Sequence, residues 1–152
     1  MLPKFHIVVG AVASILIYFL FPVTLLQTLI IFLSSFLIDA DHYFYYIFKK
    51  KDINFFRARN WFMKKRNLWR KMPKEEKRKY KLSIIIFHGI EFLIIILILA
   101  QFYNIFYFML VGIIIHLVLD WIEMIYIHHP LYHKLSQIYT LIKNKNKKDF
   151  VF

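Results

Sequence analysis

From Phe5 to Ile38 the chain runs 34 residues without an Asp, Glu, Lys or Arg. As helix that stretch is about 51 Å long at ~1.5 Å per residue, whereas one bilayer crossing needs about 20 residues. It therefore reads as two spans, roughly 3–21 and 22–48, with a break at Phe21-Pro22. A signal peptide is the competing reading of the first span, but Phe21-Pro22-Val23 makes a poor cleavage site, so the span is read as retained. Two further apolar runs follow, LSIIIFHGIEFLIIILILA over about 82–100 and IFYFMLVGIIIHLVLDWIEMIYI over about 105–127. A polar-aromatic break, Gln101-Phe102-Tyr103-Asn104, separates them.

Composition agrees. The chain is 60% hydrophobic and 20% aromatic, more than a soluble domain of 152 residues can bury. Three Gly and four Pro exclude collagen-like or disordered structure. The absence of Cys excludes disulfides, thiolate metal sites and cysteine nucleophiles.

Charge is confined to one segment. Residues 49–81 hold 15 of the 21 bases and only Asp52, Glu75 and Glu76 among the acids, so the whole net charge of +12 belongs there. Bases concentrate on the cytoplasmic side of membrane proteins, which makes 49–81 a cytoplasmic loop. Four crossings then put both termini on that side, in agreement with Lys4, Lys134, Lys143, Lys145, Lys147 and Lys148. Within the loop, Phe55, Phe62, Trp69 and Met72 alternate with Arg57, Asn60, Lys64, Asn67 and Lys71. This is the pattern of an amphipathic helix attracted to anionic lipid head groups. Interleaved aromatics and adjacent spans disfavour nucleic acid as the partner. The expected architecture is an all-α integral membrane bundle of four transmembrane helices in a single membrane domain of the plasma membrane. Its basic loop contains an amphipathic helix, and 128–152 form a cytoplasmic tail whose end, NKNKKDFVF, is frayed. A homo-oligomer stays open.

Five of the remaining acids lie inside the apolar stretches, where an ionisable group costs roughly 2.5–3.5 kcal/mol on insertion scales. They fall beside histidines at helical spacing. Asp39 and His42 are i,i+3, His88 and Glu91 are i,i+3, and His116 and Asp120 are i,i+4, so each pair shares a helix face. All three pairs sit at matched depth, roughly 10–18 Å from the helix ends at ~1.5 Å per residue. Asp41 points elsewhere than Asp39 in a regular helix, unless the helix loosens there. Asp39, Asp41, His42, His88, Glu91, His116 and Asp120 are the candidate metal-binding set. Asp41 is also a candidate bridging ligand or general base, and Glu91 a candidate catalytic carboxylate. Imidazole and carboxylate together suit Zn first, with Mn or Fe as options, and such pairs on facing helices hold one or two ions. For an isolated pair, plain helix–helix hydrogen bonding is as good a reading; three pairs at one depth shift the balance to a site. Glu123 reads as a supporting or interfacial carboxylate, His128, His129 and His133 as interfacial, and Ser34 and Ser35 as packing residues.

The segments FLIDADHYFYYIF, FHGIEFLIIIL and GIIIHLVLDW resemble, in that order, a family of small prokaryotic metal-dependent membrane hydrolases. That family is also described as LexA-binding, inner-membrane-associated hydrolases, and is considered distantly related to zinc-dependent phospholipase C. The resemblance covers about residues 30–122. Asp39, Asp41 and His42 match its first motif, His88 its middle motif, and His116 and Asp120 its last. Many members resemble His-Arg-Gly-x-Thr-His-Ser in the middle motif, where this chain has Phe87-His88-Gly89-Ile90-Glu91 and so a single His. The resemblance implies metal-assisted hydrolysis of a lipid or lipid-linked phosphoester at the cytoplasmic face. Two other classes compete. One is an intramembrane proton or ion relay, or a transporter subunit. The other is a non-enzymatic scaffold that binds anionic lipid or a partner through the basic loop.

Overall fold

The computed structural model describes residues 3–150. Its elements are α1 (Pro3–Leu20), α2 (Leu25–Leu37), α3 (Ala40–Lys50), α4 (Phe55–Lys71), α5 (Lys74–Lys77), α6 (Ile90–Ala100), α7 (Ile105–Tyr126), α8 (Tyr132–Leu135) and α9 (Gln137–Asn144). A 3₁₀ turn at Ile86–His88 precedes α6. No regular strand forms among the described residues, and an isolated bridge joins Tyr80 to Lys148.

The chain breaks after α1 at 21–24, as the Phe21-Pro22 pair predicts. Thr24 then starts α2 with a reciprocal cap: its Oγ1 accepts from Gln27 N–H, and Gln27 Oε1 accepts from Thr24 N–H. Helix α2 packs between α1 and α7, and α6 packs on α7. The α2–α7 approach is close because Gly112 lacks a side chain. A Cβ there would meet the Ile31 carbonyl oxygen at 2.3 Å and Ser34 Oγ at 2.1 Å. Small residues at a helix crossing let dispersion contacts form between backbones, the usual adhesive where lipid competes for apolar faces. Ile38, Ile96, Ile113 and Leu117 make the core beside this crossing.

Two helical stretches are long and apolar enough to cross a membrane: Leu25–Lys50, which takes in α2 and α3, and α7. Their outward faces are apolar, with Leu25, Leu29, Ile114 and Ile122 exposed, as are Ile95 and Ile98 on α6. Soluble surfaces rarely carry such continuous patches.

The helix predicted over 82–100 is half as long. Only Ile90–Ala100 is α-helical, about 16 Å at ~1.5 Å per residue. Residues 82–85 are irregular because their backbone groups find side chains instead of helical partners. Leu82 exchanges hydrogen bonds with the Asn144 amide, and Ile85 N–H donates to Gln137 Oε1. The same contacts correct the frayed tail. Asn144 is buried, and Lys148 exchanges backbone bonds with Lys79 and Lys81. Residues 151–152 of that predicted tail lie outside the described residues.

The amphipathic helix expected in the basic loop is α4. Asn54 caps it by accepting from Arg57 N–H. Its aromatic side faces the bundle: Trp61 packs on Tyr46, Phe62 on His42 and Trp69 on His129. Arg66 pairs with Glu123 on α7 and Lys65 donates to Ser83. Burial, then the Lys49 ammonium, push the Lys65 pKa down to about 8.

Candidate metal centre

The centre forms at one end of the bundle, where the start of α1, the α2–α3 joint, the 3₁₀ turn and the second half of α7 meet. The joint does what Asp39 and Asp41 require. At Ile38-Asp39 the helix tightens to i→i−3 bonding: Asp39 N–H to Phe36, Asp41 N–H to Ile38 and His42 N–H to Asp39. In an unbroken helix residues two apart diverge. Here both carboxylates reach His42 Nδ1, Asp39 at 3.4 Å and Asp41 at 3.0 Å.

Two histidines are fixed by their outer nitrogens. His116 Nδ1 lies 2.9 Å from the Ser35 carbonyl, which only accepts, so Nδ1 carries the proton. His88 Nδ1 lies 3.0 Å from Asp41 Oδ2, with the same consequence. Asp41 Oδ2 also accepts from Phe87 N–H at 2.9 Å, which locks the turn that carries His88. Hydrogen bonds of this kind set which nitrogen of a metal-binding histidine is free. The two Nε2 atoms then face each other at 3.0 Å. In neutral rings these are two lone pairs, with carboxylate oxygens around them. A cation or a shared proton is needed between them.

The spacing suits a metal. Around the 3.0 Å His88–His116 contact, His88 Nε2 stands 3.4 Å from Asp39 Oδ1 and 3.5 Å from Asp120 Oδ2. His116 Nε2 stands 3.6 Å and 3.2 Å from the same two oxygens. A tetrahedral ion with bonds of about 2.05 Å has ligand–ligand edges of about 3.3 Å. Three overlapping groups could hold an ion: His88–His116–Asp120, Asp39–His42–His88 and His6–Asp39–His116. Buried His/Asp clusters able to hold a metal ion are therefore present.

Of the seven residues predicted, five stand in these groups: Asp39, His42, His88, His116 and Asp120. Asp41 does not. Its oxygens are committed to His42, His88 and Phe87 N–H, so it orients the donors rather than joining them. Glu91 is outside altogether. Gly89 is extended, so the His88–Glu91 pair is not on one helical face. Glu91 instead accepts from Ser136 Oγ and from the N–H groups of Gln137 and Ile138, neutralising the start of α9. The backbone and hydroxyl donors hold its carboxylate away from the centre.

Two residues were missed. His6 is fully buried, stacks on His116 at 3.9 Å between ring centroids, and brings Nε2 to 3.5 Å from Asp120 Oδ1. A signal existed: it is the one histidine in the run from Phe5 to Ile38, which has no Asp, Glu, Lys or Arg. Lys134, read as a tail base, folds back from α8 and donates to Asp120 Oδ2. Burial alone would push its pKa down, but the Asp120 and Asp39 carboxylates outweigh that and raise it above the ordinary lysine value. No periodic pattern announces it; the turn through Pro130 does the work.

Access is one-sided. His6, His88 and His116 are 0% exposed, whereas the Asp39 and His42 side chains are 20% and 27% exposed. The cluster therefore meets solvent at Asp39 and His42, beside Phe62 of α4. Compared with protein-family models, with curated proteins and with solved structures, the chain finds no match in any of the three.

Proposed function

We propose that the chain is a plasma-membrane metal-dependent hydrolase of lipid or lipid-linked phosphoesters, working at the cytoplasmic face. The observation that carries the reading is the convergence of two oriented imidazole lone pairs and two carboxylates. The motif resemblance to metal-dependent membrane hydrolases supports the same class. Asp39, His88, His116 and Asp120 would hold a divalent ion, Zn first, with His42 and His6 beside them for a second. Bound there, the ion would lower the pKa of a water and polarise a phosphoryl oxygen. The chain's own residues do the rest. Asp41 and the Ser35 carbonyl keep the two imidazoles aimed inward. Lys134 balances Asp120. The His42 edge admits the substrate, and with a single ion bound His42 is the group placed to take a proton there.

In this reading the bundle makes four crossings. The third is α6 continued by the irregular 82–89, whose polar groups are covered by α9 and Asp41. Irregular backbone at membrane depth is tolerated where protein covers it. The basic 49–81 loop and both termini are then cytoplasmic, by the positive-inside rule.

The test is turnover. Purified protein with added Zn should release head group or phosphate from lipid phosphoesters, chelation should abolish it and His116→Ala should prevent its return. Metal-loaded protein with no turnover on any phosphoester would sink the hydrolase and leave the metal centre. A proton relay has one observation of its own, the file of rings His6, His116, His88 and His42 at 3.9 to 4.9 Å. It predicts proton flux in liposomes that survives chelation.

A further inference from the structure

Away from the donor cluster, α5, the end of α7 and the tail enclose a cleft of about 490 Å³. Four bases line it, Lys74, Lys77, Arg78 and Lys147, and no carboxylate does among the described residues. Neighbouring bases are neutralised: Lys79 by Glu76, Lys81 by Asp149, Arg66 by Glu123. Lys77 is different. It is 7% exposed, and its ammonium has no hydrogen bond or ion pair among the described residues. Its stem is packed away while the ammonium keeps solvent contact at the cleft, where it is available to an anion. Burial, then the Lys74 charge, push its pKa down. Such an arrangement is stable when an anion enters.

The wall between the bases is apolar, with Met124 and Ile125. It continues onto the exposed Ile122 and Tyr126 of α7, one of the two helices long enough to cross a membrane. A free inorganic anion has no use for that wall. A phosphate carrying acyl chains uses both. We infer that the cleft binds the phosphate of an anionic lipid head group, its chains lying along the end of α7. No lining residue belongs to the metal-binding groups, so the inference does not rest on the hydrolase reading.

The experiment takes the full chain in neutral detergent and titrates short-chain phosphatidylglycerol, phosphatidylcholine and inorganic phosphate, counting bound molecules by native mass spectrometry. Phosphatidylglycerol should bind one per chain, about tenfold tighter than either alternative, since only it presents a net anion and chains together. Lys74 and Arg78 are exposed, so K74Q/R78Q folds normally and should weaken binding about fivefold per charge. K77Q should weaken it most, with metal content unchanged. Should K77Q fail to fold, adding K147Q to the surface pair gives the decisive variant. Inorganic phosphate binding as tightly as the lipid would overturn the lipid assignment. Unchanged lipid binding in K74Q/R78Q together with K77Q, or in the triple variant, would overturn the site.

Discussion

The two ends of α7 differ in kind. Its first half, from Ile105 to about Ile115, meets α2 and α6 mainly through apolar side chains and the bare backbone of Gly112, with the Ser34 hydroxyl and a Gln101–Tyr107 hydrogen bond as polar exceptions. Its second half carries His116, Asp120 and Glu123, each with a polar partner on another element: the Ser35 carbonyl, Lys134 and Arg66. The apolar half needs no particular partner and would sit in lipid. The polar half is specified residue by residue, and two of its three groups converge with donors from the α2–α3 joint and the 3₁₀ turn. The difference separates what makes this chain a bundle from what makes it a site.

The sharpest break in that contrast is Lys134→Met. It leaves Asp120 buried beside three histidines, His6, His88 and His116, with the Lys134 ammonium gone. Removing one member of a buried pair costs about 3–5 kcal/mol, so chelated protein should melt far earlier. Added Zn should recover much of the loss, because the ion takes over the neutralisation. Equal loss with and without metal would mean that Lys134 serves packing alone.

Asp41→Asn comes next. The amide can donate where the carboxylate only accepted, so His88 loses its fixed tautomer. Metal affinity should fall about 10–100-fold, the usual effect of losing such a support, with the fold intact by circular dichroism. Glu91→Gln should do the reverse. It weakens the start of α9 by about 1 kcal/mol in thermal melts, comparable to a lost cap, while metal content stays the same. A drop in metal content would return Glu91 to the site.

The smallest effect at neutral pH concerns His129, which lies outside the spans and stacks between Trp69 and His133. Burial holds its pKa down from 6.5 to about 4. The unfolded chain therefore binds a proton that the folded chain refuses between those values. That stability is complete above pH 6.5 and is lost as pH falls toward 4. His129→Phe keeps the ring stack and should flatten that part of the melting profile.

Much of this was legible in the amino-acid order, and the failures are physical. His116 and Asp120 sit in an unbroken helix, so i,i+4 spacing put them on one face as it should. Asp39 and Asp41 needed a local tightening that spacing alone does not announce. Glu91 misled because the i,i+3 rule presupposes a helix, and His88 belongs to a 3₁₀ turn that ends at an extended Gly89. The apolar run over 82–100 looked uniform, yet Leu82 and Ile85 at its start bond to Asn144 and Gln137, which lie some fifty to sixty residues further on. Lys134 was hidden for the same reason: its partner, Asp120, is reached only because the chain reverses after α7. His6 was in plain view as an ionisable group in an apolar run, and the cost of burying it was the signal.

Elemental analysis of detergent-purified protein tests the central claim most directly. The account predicts one to two divalent ions per chain, Zn foremost, falling to background in the folded His88→Ala/His116→Ala double variant. Metal-free protein after purification and Zn loading, or full metal content in the double variant, would contradict it.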